Sequence, residues 1–162
     1  MECAGCQQVY FINPAVGVGA FILDDQGRLL VVSRVHDPQK GFWDLPGGFV
    51  DFGESAEAAL AREIREETNL EMTKSEYLCS FPNQYAYRGV LYHVVDLFFI
   101  CHVASLVSLH AADDAESPEF VDIPTMTIER LAFPSTRFAA KCLQERYSHV
   151  SPSGSPAPHS AS

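Results

Sequence analysis

The chain is poor in positive charge: its 162 residues carry 11 Lys and Arg against 21 Asp and Glu, a formal net charge of −10. Nucleic-acid polymers and anionic membranes are bound by cationic protein surfaces. The charge balance therefore argues against both kinds of partner. A small phosphorylated ligand stays open, because a divalent cation can bridge protein carboxylates and phosphates.

Long apolar runs are also missing. The apolar stretch at residues 15–23 is interrupted by Gly17 and Gly19 and falls well short of the roughly 20 residues that cross a bilayer. No stretch reads as a secretory leader. Five cysteines are few and odd in number, which argues against a disulfide framework. We expect reduced thiols and a cytoplasmic protein.

Cys3 and Cys6 form a C-x-x-C pair, which supplies two of the four ligands that a structural zinc requires. No second pair and no H-x-x-x-H pattern follows. We therefore expect residues 1–7 to be a loose N-terminal arm with half a zinc site and no bound zinc.

The remaining sequence predicts one domain over residues 8–148. Residues 151–162 hold only Ser, Pro, Ala, Gly and His, so we expect a disordered tail over residues 149–162. Apolar patterns predict strands at residues 15–23, 29–33, 43–45, 49–50, 77–81, 91–103 and 120–123, and helices at residues 55–68 and 135–147. These elements predict an α/β fold in which helices cover a mixed sheet.

The first helix carries its acids on the wrong side for an ordinary amphipathic helix. At about 100° per residue, Glu67 falls inside the apolar stripe around Leu60 and Glu63 falls beside it. Only Arg62 and Glu66 have the spacing of a helical ion pair. Two carboxylates about 5 Å apart repel by roughly 3 kcal/mol at an effective dielectric near 20. A divalent cation reverses that repulsion, so the pattern favours a metal site over a solvated acidic face.

Pro46, Gly47 and Gly48 precede this helix and predict a turn in which the backbone comes close to a partner. A bare amide or carbonyl there can serve a metal or phosphate site. A simple tight turn explains the glycines equally well.

Gly48, Glu54 and the run REIREETNL at residues 62–70 resemble the Nudix box, G-x5-E-x7-R-E-U-x-E-E-x-G-U with U aliphatic. Asn69 replaces the last glycine, and Asn is the next-best residue for a left-handed helix C-cap. The resemblance to Nudix hydrolases covers about residues 8–145. The C-x-x-C arm is similar to the end of the zinc ribbon of NADH pyrophosphatases, here truncated.

The resemblance implies a Nudix-type α/β/α sandwich with a mixed sheet and a catalytic helix after a Gly-rich turn. It implies Mg²⁺- or Mn²⁺-dependent attack of water on a nucleoside diphosphate linked to another group, such as NAD(H), ADP-ribose or a diadenosine polyphosphate. The implied metal ligands are Glu63, Glu67, Glu66 and the Gly48 carbonyl. Arg62 would orient Glu63, and Glu54 would support the cluster. Either Glu63 or an acid outside the box would help to deprotonate the water.

The substrate-binding residues are less sharply indicated. Five side chains are candidates for phosphate contact or base stacking: Arg34, Lys40, Tyr85, Tyr87 and Arg88. Loop charge and strand packing explain them as well. Four acids outside the box are candidates for a base near the metal: Asp113, Asp114, Glu116 and Glu119.

Asp96 interrupts the apolar strand predicted at residues 91–103. We interpret it as a polar residue satisfied at a pleat that faces a loop. The alternative is that it points to the nucleotide side of the sheet.

Two functions are compatible with the motif. The first is a hydrolase; the alternative is a non-catalytic Nudix-fold module that senses a nucleotide. A sensing module does not need all four acids of the box, and all are present with Arg62, which favours the enzyme. A homodimer stays open, because Nudix relatives are often dimers.

Overall fold

A computed structural model describes residues 3–9, 11, 13–109 and 118–148, and only the backbone of Tyr87. The elements are β1 (Ala15–Ile22), β2 (Arg28–Ser33), β3 (Trp43–Asp44), β4 (Gly47–Phe49), α1 (Ala56–Thr68), β5 (Met72–Tyr87), β6 (Val90–Val103), β7 (Glu119–Asp122), a 3-10 turn (Ile128–Arg130) and α2 (Pro134–Ser148). The predicted tail and three predicted acids, Asp113, Asp114 and Glu116, lie outside the described residues.

The strands form two sheets. One has four strands in the order β4-β1-β6-β5, and the other has three in the order β3-β2-β7. β1 and β6 run parallel, and every other recorded strand pair is antiparallel. The larger sheet is therefore mixed, as the sequence predicts.

The two helices cover opposite faces of the larger sheet. Val18 and Ile22 of β1 pack into a core with Leu60 of α1, whereas Phe21 packs into a second core with Leu143 of α2. Alternate residues of a strand point to opposite faces, so β1 feeds both cores. The predicted α/β/α sandwich is confirmed.

Helix α1 begins and ends as the sequence predicts. The Oγ of Ser55 accepts a hydrogen bond of 3.1 Å from the N–H of Ala58, which satisfies one free donor of the first turn. Asn69 follows the helix in the left-handed region at φ 57°, and its N–H donates to the Arg65 carbonyl at 2.9 Å. The C-cap role of Asn69 is confirmed.

The predicted turn at Gly47 and Gly48 is wrong. Both residues lie in β4 and pair with β1, Gly47 opposite Gly19 and Gly48 opposite Val18. A side-chain carbon on Gly47 would overlap the Val18 carbonyl oxygen. These glycines therefore permit a close backbone approach within a sheet, and the turn lies before them.

The predicted end of β5 at Phe81 is also wrong. The strand continues through Pro82, opposite Val95, to Tyr87. β5 is an edge strand of the larger sheet. Proline lacks a backbone donor and is tolerated at a sheet edge, where no further strand needs that donor.

The N-terminal arm is described over residues 3–9. The N–H of Cys3 donates to the Gln8 carbonyl at 2.9 Å, and the Cys3 carbonyl accepts a hydrogen bond of 2.8 Å from the N–H of Gln7. These two bonds close an exposed turn. All five cysteines are free. In the described part of the chain, no helix has the length and apolar character needed to cross a membrane.

Candidate active site

The Arg62 side chain links the acids on the outer side of α1. Its Nε and Nη2 each donate to one oxygen of Glu54 at 3.0 Å, and its Nη1 donates to Glu63 at 2.7 Å. Nη2 also reaches the Phe49 carbonyl at 3.0 Å. The hydrogen bonds from Arg62 lower the pKa of Glu54. Arg62 therefore fixes two predicted site acids against the end of β4.

Glu63 lies directly over Gly48. A side-chain carbon built on Gly48 would stand 2.5 Å from the Glu63 carboxyl carbon, inside van der Waals contact. The Glu63 side chain is 14% exposed. The absence of a side chain at Gly48 is what lets this carboxylate pack against the sheet.

Glu67 contacts the backbone of β4. Its Oε2 accepts the N–H of Gly47 at 3.0 Å. Burial raises the pKa of Glu67 to about 7, and the nearby charges of Glu63 and Asp44 act in the same direction, against the Gly47 hydrogen bond. The positive charge of Arg34 also opposes the shift, and burial together with the two carboxylates outweighs it.

A cavity of about 410 Å³ lies beside these acids, and we call it the acidic cavity. Its lining joins α1 to β2, β3 and the loops that follow them. The lining residues are Val32, Ser33, Arg34, Val35, His36, Asp44, Leu45, Gly47, Glu63, Glu66 and Glu67. Glu66 is the outermost acid, with its side chain 60% exposed and 3.3 Å from Arg62.

The acidic cavity fits a hard divalent cation by the chemistry of its donors. Mg²⁺ prefers carboxylate and carbonyl oxygens and shares them with substrate phosphates. The clustered negative charge of Glu63, Glu67 and Asp44 is what such a cation would neutralise. In the described residues no three His, Cys, Asp or Glu side chains are already arranged around an ion position. Arg62 holds Glu63 and contacts Glu66 in this conformation.

An ion pair stands at the inner end of the acidic cavity. Nη1 of Arg34 contacts Oδ2 of Asp44 at 2.6 Å, and Nε of Arg34 donates to the Pro38 carbonyl at 2.9 Å. The guanidinium also lies 4.9 Å from the centre of the Phe133 ring. Burial raises the pKa of Asp44, while Arg34 opposes that shift.

A second cavity of about 290 Å³ continues from this ion pair, and we call it the aromatic cavity. Arg34, Asp44, Leu45 and Gly47 line both cavities. The other lining residues are Gly17, Val18, Gly19, Gly48, Phe49, Asn83, Tyr85, Val94, Asp96, Phe98, Phe133 and Thr136. The Tyr85 ring stands 5.9 Å from Phe49 and 6.1 Å from Phe133, centre to centre. With Phe98, four aromatic rings therefore line this cavity.

Two glycines of β1 lie in the floor of the aromatic cavity. Gly17 and Gly19 pair with Asp96 and Phe98 of β6. A side-chain carbon on Gly17 would overlap the Asp96 carboxylate, and one on Gly19 would stand 2.9 Å from Phe98. The two glycines therefore leave room for the Asp96 carboxylate and the Phe98 ring, which form this part of the lining.

Of the five predicted substrate-binding residues, the structure places two at the cavities. Arg34 lines both cavities and Tyr85 lines one. Lys40 lies in an exposed loop and Arg88 in the exposed turn between β5 and β6, and neither lines a cavity. Nothing is described of the Tyr87 side chain. The roles of these residues stay predictions.

Two acids outside the box lie away from the acidic cavity. Glu119 of β7 accepts a hydrogen bond from the indole of Trp43. Asp96 accepts hydrogen bonds from Asn83 and Ser135, so it has the polar partners that we expect. Ser135 belongs to α2 rather than to a loop, and Asp96 also lines the aromatic cavity.

Sequence reasoning missed several residues of the aromatic cavity: Gly17, Gly19, Asp44, Asn83, Phe133 and Thr136. A signal was present for the two glycines only. Glycines at alternate positions of an apolar strand leave space on one face of that strand, which indicates a close approach by other groups. The other residues come from separate elements, and no spacing in the chain connects them.

Comparison with known proteins identifies the class to which this fold and these acids belong. The chain matches the NUDIX domain over residues 13–146, and it belongs to the Nudix family. It is 39% identical over 126 residues to an ADP-ribose pyrophosphatase of Methanocaldococcus jannaschii, covering 76% of this chain and 69% of that protein. It spans only 38% and 39% of two relatives from Arabidopsis thaliana, Nudix hydrolases 5 and 8.

Solved structures agree with this assignment. A MutT NUDIX hydrolase from Burkholderia pseudomallei superimposes with a TM-score of 0.67 at 30% identity, covering 82% of this chain and 99% of that one. The NUDIX domain of Shewanella oneidensis NrtR, solved with ADP ribose, gives a TM-score of 0.64 at 25% identity, covering 85% and 90%.

These comparisons confirm the predicted family, fold and enzyme class, a hydrolase of pyrophosphate bonds in nucleotide substrates. Nudix hydrolases generally use divalent metals. The relatives differ in their named substrates, so the narrower resemblance to NADH pyrophosphatases stays a prediction.

Proposed function

We propose that this chain hydrolyses ADP-ribose to AMP and ribose 5-phosphate. The observation that carries the proposal is the continuity of the acidic and aromatic cavities through Arg34 and Asp44. A nucleoside diphosphate joined to a sugar has a charged centre and a flat end, and the two cavities offer a place for each. The 39% identical archaeal relative bears the name ADP-ribose pyrophosphatase, which supports this substrate.

In this proposal the diphosphate lies in the acidic cavity. Mg²⁺ or Mn²⁺, when bound, supplies the positive charge that lets phosphate groups approach the carboxylates. Glu67, Glu63 and Glu66, with the Gly48 carbonyl, are the ligands that we assign to it. Glu63 and Glu66 line the acidic cavity and also contact Arg62.

The remaining residues position these groups. Arg62 keeps Glu54 and Glu63 together at the end of β4. Arg34, at the junction of the cavities, is placed to meet the diphosphate with a planar guanidinium. One water adds to a phosphorus, the P–O–P bridge breaks, and the water's protons pass to the products and solvent. The base is Glu63 or an acid outside the box.

The test is hydrolysis of a panel with and without Mg²⁺ and Mn²⁺. The panel contains ADP-ribose, NAD, NADH, diadenosine polyphosphates, nucleotide sugars and nucleoside triphosphates. We expect metal-dependent release of AMP from ADP-ribose at a higher kcat/KM than from the other members. Preferred hydrolysis of another member of the panel would contradict ADP-ribose as the substrate and still support the type of reaction.

A folded sample that binds ADP-ribose and cleaves nothing would contradict the proposed reaction. That result would favour the sensing module. Binding is measured by calorimetry on the same preparation, so that misfolding and lack of catalysis are told apart.

Four narrower proposals accompany this function. We assign the protein to the cytoplasm, in keeping with its five free thiols. We expect no nucleic-acid polymer and no membrane as partner, because the net charge is −10. A homodimer stays open, because Nudix relatives are often dimers, and analytical ultracentrifugation tests it. Zinc analysis of the purified protein tests the expectation that Cys3 and Cys6 hold none.

A further inference from the structure

Asp96 places a carboxylate in the floor of the aromatic cavity, and we infer that it selects the base of the substrate. Its open oxygen accepts a hydrogen bond from an amino N–H on the base edge, as adenine presents. The inference rests on the proposed function, since it assigns base recognition to the aromatic cavity. It names Asp96 as the residue that determines base specificity.

One oxygen of Asp96 is held by the protein. Its Oδ2 accepts hydrogen bonds from Nδ2 of Asn83 at 2.9 Å and from Oγ of Ser135 at 2.6 Å. The Asn83 amide cannot turn over freely, because its Oδ1 accepts the N–H of Gln84 at 2.8 Å. β5 and α2 thereby hold the carboxylate of β6 in one orientation.

The other oxygen is left for a ligand. Oδ1 lies beside Gly17, where any side-chain carbon would overlap it. Within the described part of the chain, Oδ1 accepts no hydrogen bond. A half-buried carboxylate oxygen has lost part of its hydration, and a ligand N–H restores a strong hydrogen bond to it. A purely structural anchor would not need an open oxygen in a cavity.

The charges of the cavity exclude a phosphate at this position. Asp44 and Asp96 both line it, and the one guanidinium in its lining, Arg34, lies at the junction with the acidic cavity. An anionic group next to Asp96 would be repelled. Phosphates therefore belong at the acidic cavity with a cation, and the neutral end of the substrate belongs here.

The shape of the cavity favours a planar base over a sugar. Phe49, Tyr85 and Phe133 flank it, and aromatic rings stack on the face of any base. Stacking does not distinguish bases, whereas a fixed acceptor does. Adenine offers an amino donor, and hypoxanthine offers a carbonyl oxygen at the same position, which Asp96 would repel.

The experiment compares kcat/KM for ADP-ribose and inosine diphosphate ribose, which differ by this amino group. We expect the wild type to prefer ADP-ribose by about tenfold to a hundredfold, the size of one hydrogen bond to a charged group. In D96N the amide oxygen takes the donors of Asn83 and Ser135 and turns an NH₂ to the base. The preference should then vanish or reverse.

Two further variants complete the design. Asp25→Asn changes an exposed acid of the β1–β2 turn and should keep the wild-type ratio. Ser135→Ala loosens the anchor of Asp96 and should lower the ratio by a smaller factor, which tests the inference if D96N does not fold. Equal losses for both substrates in D96N, or a wild type without preference, would overturn the inference.

Failure of the proposed function is recognised separately. If the wild type hydrolyses neither substrate, the preference is measured by binding instead. The Kd for AMP is then compared with the Kd for IMP, both in the absence of metal. A preference for AMP that D96N abolishes supports the inference on its own. Equal affinities in the wild type overturn it.

Discussion

The acidic and aromatic cavities meet at Arg34 and Asp44 but differ in how their charges are compensated. Around Glu67, burial and the charges of two neighbouring carboxylates outweigh the Gly47 hydrogen bond and the charge of Arg34, and the pKa rises to about 7. Around Asp96, protein donors fix one oxygen and leave one open. In our proposal the first region receives a metal and the diphosphate, and the second offers a single directed acceptor to the base. The proposal thus separates chemistry and recognition in space.

The sharpest way to test this separation is to neutralise the acidic cavity alone. Glu67→Gln should lower kcat by about 10³-fold or more, because loss of a metal ligand removes several kcal/mol of transition-state stabilisation. The fold should persist, because the Gln side chain lacks the charge of Glu but has nearly the same size. Steady-state kinetics with circular dichroism measure both effects.

Glu57→Gln is the matched control for that variant. Glu57 is an exposed acid in the first turn of the same helix, so the change in net charge is equal. Its kcat should stay near the wild-type value. Retained activity in Glu67→Gln would remove Glu67 from the metal site.

The charge stored around Glu67 should also appear as a pH dependence of stability. Its pKa in the folded state, about 7, lies above the ordinary value of 4.5, so the folded state binds more protons between these values. The free energy of unfolding of the metal-free protein should therefore fall as pH rises from about 4.5 to 7, by up to about 3 kcal/mol. Urea unfolding at pH 5 and pH 8 measures it.

The same pH profile measured on Glu67→Gln provides the control, because the variant lacks the titrating carboxyl of Glu67 and keeps the other titratable groups. The variant should lose less stability than the wild type over the same pH range. Added Mg²⁺ should stabilise the wild type more at pH 8 than at pH 5. Parallel pH profiles for the two proteins would contradict the charge assigned to Glu67.

Alanine substitutions at the neighbouring residues Gly47 and Gly48 should have different effects on activity and stability. Gly48→Ala pushes a carbon into the Glu63 carboxylate, a side chain that can move. A displacement of about 1 Å in a catalytic group can cost about a hundredfold in rate. Gly47→Ala pushes a carbon into the Val18 backbone, which should cost about 1–3 kcal/mol of stability.

Thermal unfolding and kcat measured on both glycine variants check the contrast. We expect the larger fall in melting temperature for Gly47→Ala and the larger fall in kcat per folded molecule for Gly48→Ala. The reverse order would mean that Glu63 is held in place by something other than its contact with Gly48.

The smallest effect is expected where the chain departs from the box. Asn69 already adopts the left-handed conformation, so Asn69→Gly should change stability by about 0.5 kcal/mol or less. Asn69→Ala should cost about 1 kcal/mol. Neither should change kcat, because Asn69 lines neither cavity. A loss of activity in Asn69→Gly would connect the helix end to the site.

The two cavities also differed in how well the sequence predicted them. Glu63, Glu66 and Glu67 lie within one helical turn, and helical geometry places them on one side from the sequence alone. Asn83, Asp96 and Ser135 come from β5, β6 and α2, and only strand register and helix docking bring them together. β5 was predicted too short because Pro82 reads as a strand end until the strand is known to be an edge.

Measurement of kcat and Kd for ADP-ribose in Glu67→Gln and Asp96→Asn, side by side, decides whether the two cavities divide chemistry from recognition. We expect Glu67→Gln to lose kcat and still bind ADP-ribose, and Asp96→Asn to lose affinity and, at saturation, to keep most of its kcat. If Glu67→Gln abolished binding and Asp96→Asn changed neither quantity, the separation of chemistry from recognition would be contradicted.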